Sequence, residues 1–134
     1  MFHLHCTKKL LNRIKPEIVA AEQSDTALGS WYATALFWKP QVALLVSERT
    51  LFPVLMPLAP AATLARRFPA QLALVLKEHG APSEFIAQEV WRMDKVQYAK
   101  TANRSVVGIL NEFVRQAEFW LAAYAYQKGD DDDL

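Results

Sequence analysis

The stretch from Lys100 to Asn111 holds the densest group of unusual polar residues in the chain. It is predicted to be the end of a strand followed by a long helix, with Asn103 as the N-cap. The first turn of a helix has unpaired backbone N–H groups and a partial positive charge. Because Lys100 precedes this turn, and Arg104 and Ser105 lie within it, the stretch predicts a site for phosphate or carboxylate.

A second polar stripe runs along the same predicted helix. Its members, spaced i, i+4, i+7 and i+11, are Arg104, Gly108, Asn111 and Arg115. Glycine costs a helix about 1 kcal/mol relative to alanine, so Gly108 indicates that a ligand or another backbone packs there. A structural alternative stays open, in which Asn103 only caps the helix and Gly108 lets a strand come close. In that alternative Arg104 pairs with a carboxylate such as Glu48.

Another strand-to-helix junction lies at Thr7, followed by Lys8 and Lys9. If the first and last strands are neighbours, Lys8 or Lys9 joins Lys100 and Arg104 in one basic cluster. In the alternative, both lysines are solvated on a short helix. The residues predicted to bind an anion are Thr7, Lys8, Lys100, Thr101, Asn103, Arg104, Ser105 and Asn111.

Acid–base chemistry has two main candidates. His5 has an unperturbed pKa near ~6.5 and could act as a general base, and Glu48 is the best single candidate for a catalytic carboxylate. Lys100 and Arg104 could stabilise negative charge in a transition state. His3, His5 and Cys6 could contact a metal, but a structural zinc site needs four such ligands, so no metal and no cofactor are predicted.

Several enzyme classes lack their sequence signatures. The chain contains no GxSxG, HExxH, GxGxxG, Walker or paired CxxC motif. Serine-triad hydrolases, zinc proteases and nucleotide-loop ATPases are therefore unsupported.

Length and charge narrow the class further. The 134 residues fit one domain, predicted as 1–128, followed by an acidic, disordered tail at 129–134. A net charge of +1 gives no overall field that would attract nucleic acid. A single cysteine suits a reducing cytoplasm, and no stretch reaches the ~20 apolar residues of a membrane span.

The pattern of apolar residues predicts an α+β fold with the order β-α-β-β-β-α-α-β-α. An antiparallel sheet of about five strands is expected, with helices mainly on one face. The loop from Lys15 to Ser30 is long for a compact domain, which suggests a lid or mobile edge with one helical turn at Glu17 to Glu22. The predicted strands are 2–6, 31–38, 41–47, 51–58 and 95–101. The predicted helices are 8–14, 61–68, 70–79, 83–92 and 104–127, with Pro69 either kinking one helix or starting a new one.

The His-Cys-Thr-Lys-Lys-Leu opening at 5–10 and the Lys-Thr-x-Asn-Arg-Ser-Val-x-Gly-x-Leu-Asn pattern at 100–111 carry a resemblance. Together with the Trp-Tyr-Ala strand start at 31–33, they resemble a bacterial family of small proteins known only as a domain of unknown function. The resemblance implies a single-domain cytoplasmic protein. It implies no activity, substrate or cofactor.

Three functions remain open. The preferred one is a binding or regulatory module that recognises an anionic group through Lys8, Lys100, Arg104 and Arg115. The second is a small metal-independent phosphodiester-cleaving enzyme of the toxin type. The third is a protein-interaction partner from a small operon pair, which would use the apolar face of the last helix beyond Phe113. The partner is accordingly an anionic ligand, RNA or another protein, and no membrane is expected.

Overall fold

A computed structural model describes residues 1–20 and 24–132, with side chains up to residue 123. In this part of the chain, five strands and four α-helices follow the predicted order. They are β1 (Phe2–Cys6), α1 (Lys8–Ile14), β2 (Trp31–Leu36), β3 (Val42–Ser47), β4 (Pro53–Pro57), α2 (Leu64–Glu78), α3 (Ser83–Arg92), β5 (Val96–Lys100) and α4 (Arg104–Asp132). The α+β class is confirmed.

The sheet is mixed, with the strand order β4-β3-β2-β1-β5. Short turns join β2, β3 and β4, and these three strands form the predicted antiparallel meander. β1 lies between β2 and β5 and runs parallel to both, which corrects the prediction of a purely antiparallel sheet. The reason is the length of the connections: both links from β1 to its neighbours contain helices, as parallel pairing requires.

The two faces of the sheet are covered by different helices. Phe2, Leu4 and Cys6 of β1 join the larger core, which α1, α2 and α3 cover. On the opposite face, α4 packs Leu110 against Leu44 and other residues of β3. All five residues of β1 are therefore buried, including the two histidines of the opposite face. Three of the four described helices share one face, as predicted, and α4 alone covers the other.

Two helices differ from their predicted bounds. α2 is one helix that continues through Pro69, preceded by a 3-10 turn at Ala61–Thr63, where two helical pieces had been predicted. α4 continues to Asp132, beyond the predicted end near Gln127. The predicted disordered tail at 129–134 lies outside the described side chains, and residues 133–134 also lie outside the described backbone. Disorder there stays a prediction.

The connection from Lys15 to Ser30 is bound to the domain wherever it is described. Ile18 forms a parallel bridge with Tyr98 of β5, and the Val19 N–H donates to the Tyr98 carbonyl at 2.9 Å. No helical turn is present at 17–20, and residues 21–23 lie outside the description. The predicted helical turn is thus wrong for residues 17–20, because the chain there pairs with the exposed edge of β5. The lid or mobile edge stays a prediction.

A buried carboxylate fixes the second half of this connection. Glu89 of α3 is 1% exposed and accepts the backbone N–H groups of Ala27 and Leu28 at 2.7 and 2.8 Å. The Ser47 hydroxyl donates to the Leu28 carbonyl at 2.6 Å. The buried Leu28 thereby has partners for both its N–H and its carbonyl, as a buried backbone requires.

Candidate functional site

A crevice opens at the carboxyl ends of β1 and β5. The two strands are parallel neighbours, with Cys6 paired to Lys100, so the two strand-to-helix junctions lie side by side. After β1 the chain enters α1 on one face of the sheet, and after β5 it enters α4 on the other. Adjacent parallel strands whose following helices diverge to opposite faces leave the type of crevice in which open α/β sheets bind ligands.

Three lysines surround this crevice, which has a volume of about 600 Å³. Its lining residues are Cys6, Lys8, Leu11, Asn12, Lys15, Pro16, Ile18, Lys100 and Thr101. None of the lining residues is acidic, and within the described residues none of the three lysines forms an ion pair. The crevice therefore combines three uncompensated positive charges with apolar walls and two neutral polar side chains.

One face of α1 provides four of these residues. Lys8, Leu11, Asn12 and Lys15 are spaced i, i+3, i+4 and i+7, so they lie on one side of a helix. Leu10 turns the opposite way into the core. Lys15 ends the helix in the left-handed conformation, with φ of 54°, and its N–H donates to the Leu11 carbonyl. Asn12 and Lys15 were missed in the sequence, although this spacing could have identified them.

Cys6 lines the crevice as a protonated thiol. Burial raises its pKa to about 12, because the apolar surroundings disfavour the thiolate. Its Sγ lies 3.7 Å from the Leu4 carbonyl, to which it can donate. Since the thiolate is the reactive form of cysteine, Cys6 is an inert part of the wall.

Asn103 holds the second junction in place. Its Oδ1 accepts the N–H groups of Ser105 and Val106 at 3.0 and 3.2 Å, so the predicted N-cap is confirmed. Its own N–H donates to the Tyr32 hydroxyl at 2.9 Å, and its Nδ2 donates to Glu48 Oε1 at 3.3 Å. Two donors of the first turn of α4 are thus already used by the protein, which leaves fewer for an anion there.

The stripe on α4 faces solvent. Arg104, Gly108, Asn111 and Arg115 are all exposed. A Cβ added to Gly108 would meet nothing within 4 Å, so the alternative in which Gly108 lets a strand come close is wrong within the described residues. Arg104 does not pair with Glu48, whose carboxylate binds Asn103 instead, and Arg115 pairs with Glu112.

His5 lies on the opposite face from the crevice. Its register with Ala99 directs it away from the face that Cys6 and Lys100 share. It is almost fully buried, with Nδ1 3.0 Å from the Lys100 carbonyl and its ring stacked on Tyr32 at 4.6 Å. For this bond Nδ1 must carry the proton, since a carbonyl can only accept. His5 therefore orders the last residue of β5 from the far side of the sheet.

The predicted binding residues fall into two groups. Lys8, Lys100 and Thr101 line the crevice together. The others do not line it: Thr7 shares a hydrogen bond with Thr34, at 2.8 Å between their hydroxyl oxygens, Asn103 holds the junction, and Arg104, Ser105 and Asn111 are exposed on α4.

The described residues contain neither a group of metal ligands nor a membrane-spanning helix. No group of three or more His, Cys, Asp or Glu residues in that part of the chain is placed to hold a metal ion. No described helix combines the length and the apolar character required to cross a membrane.

The comparisons with known proteins identify a family. The family model described as Domain of unknown function (DUF6933) matches residues 3–134, which is nearly the whole chain. No curated protein and no solved structure matches the chain. The comparisons therefore supply a family relationship without an activity, and any function has to be argued from the crevice.

Proposed function

The chain belongs to the family described as Domain of unknown function (DUF6933), and we propose that it is a binding module for a small organic anion held in the crevice between α1 and β5. The observation that carries the proposal is the set of three lysines around one cavity. Lys8, Lys15 and Lys100 line it, and no carboxylate in the described chain pairs with any of them. Like charges gathered around a concave surface raise the local concentration of an oppositely charged ligand.

The size and walls of the crevice indicate the kind of anion. A volume of about 600 Å³ lies within the range of small-molecule sites. Leu11, Pro16 and Ile18 form an apolar wall that suits an organic body, while Asn12 and Thr101 can hydrogen-bond to polar substituents. A phosphorylated small molecule with an apolar or aromatic part fits this combination better than a bare inorganic ion.

The charge of the whole chain favours a small ligand over a long nucleic acid. With a net charge of +1, the protein lacks the broad basic surface that nucleic-acid binding uses. We propose that this binding takes place in the cytoplasm. The chain has a single cysteine and cannot form an intramolecular disulfide, which suits a reducing compartment. His5 and Glu48 lie outside the crevice lining, so the proposal includes no catalytic step.

Calorimetric titration of the purified chain with adenosine monophosphate, and separately with inorganic pyrophosphate, tests this function. We expect Lys8→Gln and Lys100→Gln each to weaken binding of adenosine monophosphate about tenfold or more, because each removes a charge-assisted hydrogen bond. Lys9→Gln is the matched control: Lys9 neighbours Lys8 on α1 and is exposed, but it does not line the crevice.

Binding that responds to Lys8→Gln and Lys100→Gln but not to Lys9→Gln supports the proposal. If neither probe binds, or if all three substitutions weaken binding equally, the crevice is not the site. Binding of single-stranded RNA in place of both probes, with a steep dependence on salt, would likewise overturn the small-anion assignment.

A further inference from the structure

An apolar groove lies on the other side of the molecule, between the second half of α4 and the strands β3 and β4. It has a volume of about 520 Å³. Its lining residues are Trp38, Leu44, Pro53, Leu55, Phe113, Gln116, Ala117, Trp120 and Leu121. None of these side chains is charged. The groove shares no lining residue with the lysine crevice, so it is a separate surface.

Three consecutive large apolar residues of α4 are exposed in or beside this groove. Phe119 is 68% exposed and Trp120 is 69% exposed, and Leu121 follows them. Successive residues of an α-helix point about 100° apart, so these side chains spread around the helix. Trp120 and Leu121 line the groove, while Phe119 lies outside it. A helix that is apolar on several sides is normally buried on several sides, and the sheet can cover only one of them.

We infer that a second copy of this chain covers this surface and that the protein forms a two-fold dimer through α4 and the β3–β4 groove. A two-fold interface is self-complementary, since each copy must present both the projecting and the receiving part. This surface presents both, with Phe119 projecting from α4 beside the groove that Leu55 and Trp120 line.

The apolar area suits a stable dimer. Fully burying one aromatic side chain removes ~150–250 Å², so Phe119 and Trp120 at about two-thirds exposure provide roughly 270 Å² together. Leu55 and Leu121 are 48% and 40% exposed and bring the total to roughly 400 Å². A standard interface buries about 800 Å² per partner, of which a little over half is apolar. The patch therefore provides most of the apolar part of one dimer interface.

The edge strand β4 and the net charge are both compatible with docking of a second copy through side chains. β4 begins and ends with Pro53 and Pro57, which lack the N–H donors that an added strand would use. Docking here therefore proceeds through side chains and not through extension of the sheet. A net charge of +1 brings little repulsion between two copies.

Sedimentation equilibrium or light scattering coupled to size-exclusion chromatography, over a series of micromolar concentrations, tests the inference. We expect the wild-type chain to have twice the mass of one chain. Phe119→Glu on the helix and Leu55→Lys on the sheet should each give a monomer, because each introduces a charge into the apolar interface. Both positions are exposed in one chain, so circular dichroism should show that both variants remain folded.

Trp91→Glu is the control, since Trp91 is 79% exposed on α3 and lies outside the groove. This variant should remain dimeric. A wild-type monomer at every concentration would overturn the inference and leave the groove to a different partner. A dimer that persists in both Phe119→Glu and Leu55→Lys would overturn it equally, because the copies would then meet through another surface. These outcomes do not depend on whether the lysine crevice binds its anion.

Discussion

The carboxylate of Glu89 is expected to be among the most important single polar groups for stability. It accepts two backbone N–H groups, those of Ala27 and Leu28, while 1% exposed. A hydrogen bond to a charged group contributes about 1.5–3 kcal/mol, and a buried donor left without a partner costs about 1–3 kcal/mol. Glu89→Gln keeps one acceptor oxygen and turns an amide NH₂ toward the second donor, so one bond is lost.

We therefore expect Glu89→Gln to lower the free energy of unfolding by about 1.5–3 kcal/mol. Glu89→Ala should lower it by about 3–5 kcal/mol, since alanine removes both bonds and leaves the buried Leu28 N–H without an acceptor. For a domain with a total stability of about 5–15 kcal/mol this is a large fraction. With a urea dependence of about 2 kcal/mol per molar, Glu89→Gln should lower the midpoint of unfolding by roughly 1 M. Hydrogen exchange of the Ala27 and Leu28 amides should accelerate as well.

Glu84→Gln is the matched control, because Glu84 belongs to the first turn of the same helix and is exposed. Its loss should cost about 0.5 kcal/mol through the helix dipole. The stabilising role of the Glu89 hydrogen bonds is refuted if the free energy of unfolding of Glu89→Gln lies within about 0.5 kcal/mol of the wild-type value. Unchanged exchange rates of the Ala27 and Leu28 amides would refute it as well.

Two further predictions concern Cys6 and Gly108. Burial raises the pKa of Cys6 from 9.0 to about 12, so between these pH values the unfolded chain has lost a proton that the folded chain keeps. Through this group, the free energy of unfolding should fall by about 1.4 kcal/mol for each unit of rising pH. Urea titrations of Cys6→Ala should lack that contribution. If wild type and Cys6→Ala show the same dependence of unfolding free energy on pH, the pKa assignment is contradicted. Gly108→Ala should raise the free energy of unfolding by about 0.5–1 kcal/mol in thermal or urea unfolding, because the added Cβ meets no atom within 4 Å and the unfolded chain becomes less flexible. Destabilisation would mean that a partner packs closely against this face of α4.

Local patterns predicted the elements well, and long-range pairing was harder. The period of apolar residues identified most elements. Asn103 marked the start of α4, and the prolines of β4 indicated an edge strand, because these signals act within a few residues. The position of β1 between two parallel neighbours in a mixed sheet was not predicted. His3 and His5 are both buried, and their ring nitrogens contact Ser24 and Lys100, which are distant in sequence and which the local pattern does not bring together with them.

In the candidate site, too, local features could be predicted, whereas contacts between distant segments could not. The meeting of Lys8 and Lys100 depended on β1 and β5 being neighbours, which the sequence could state only as a condition. Lys15 was not predicted despite its spacing from Lys8, because Pro16 ends the helix and the sequence places Lys15 in the following loop. The burial of Glu89 was not predicted, since a glutamate in an amphipathic helix is usually solvated. Only the tertiary structure shows that its carboxylate binds the backbone of a loop.

The position of β1 between β2 and β5 has a consequence for how the chain folds during synthesis. β1 is among the first segments to be made, but its neighbour β5 begins only at Val96. Until β5 has left the ribosome, one side of β1 has no strand to pair with, and the two junctions that form the crevice cannot meet. Pairing between segments so distant in sequence slows folding. The fold should therefore close late, in one cooperative step, and chains that stop before β5 should remain open and prone to aggregate.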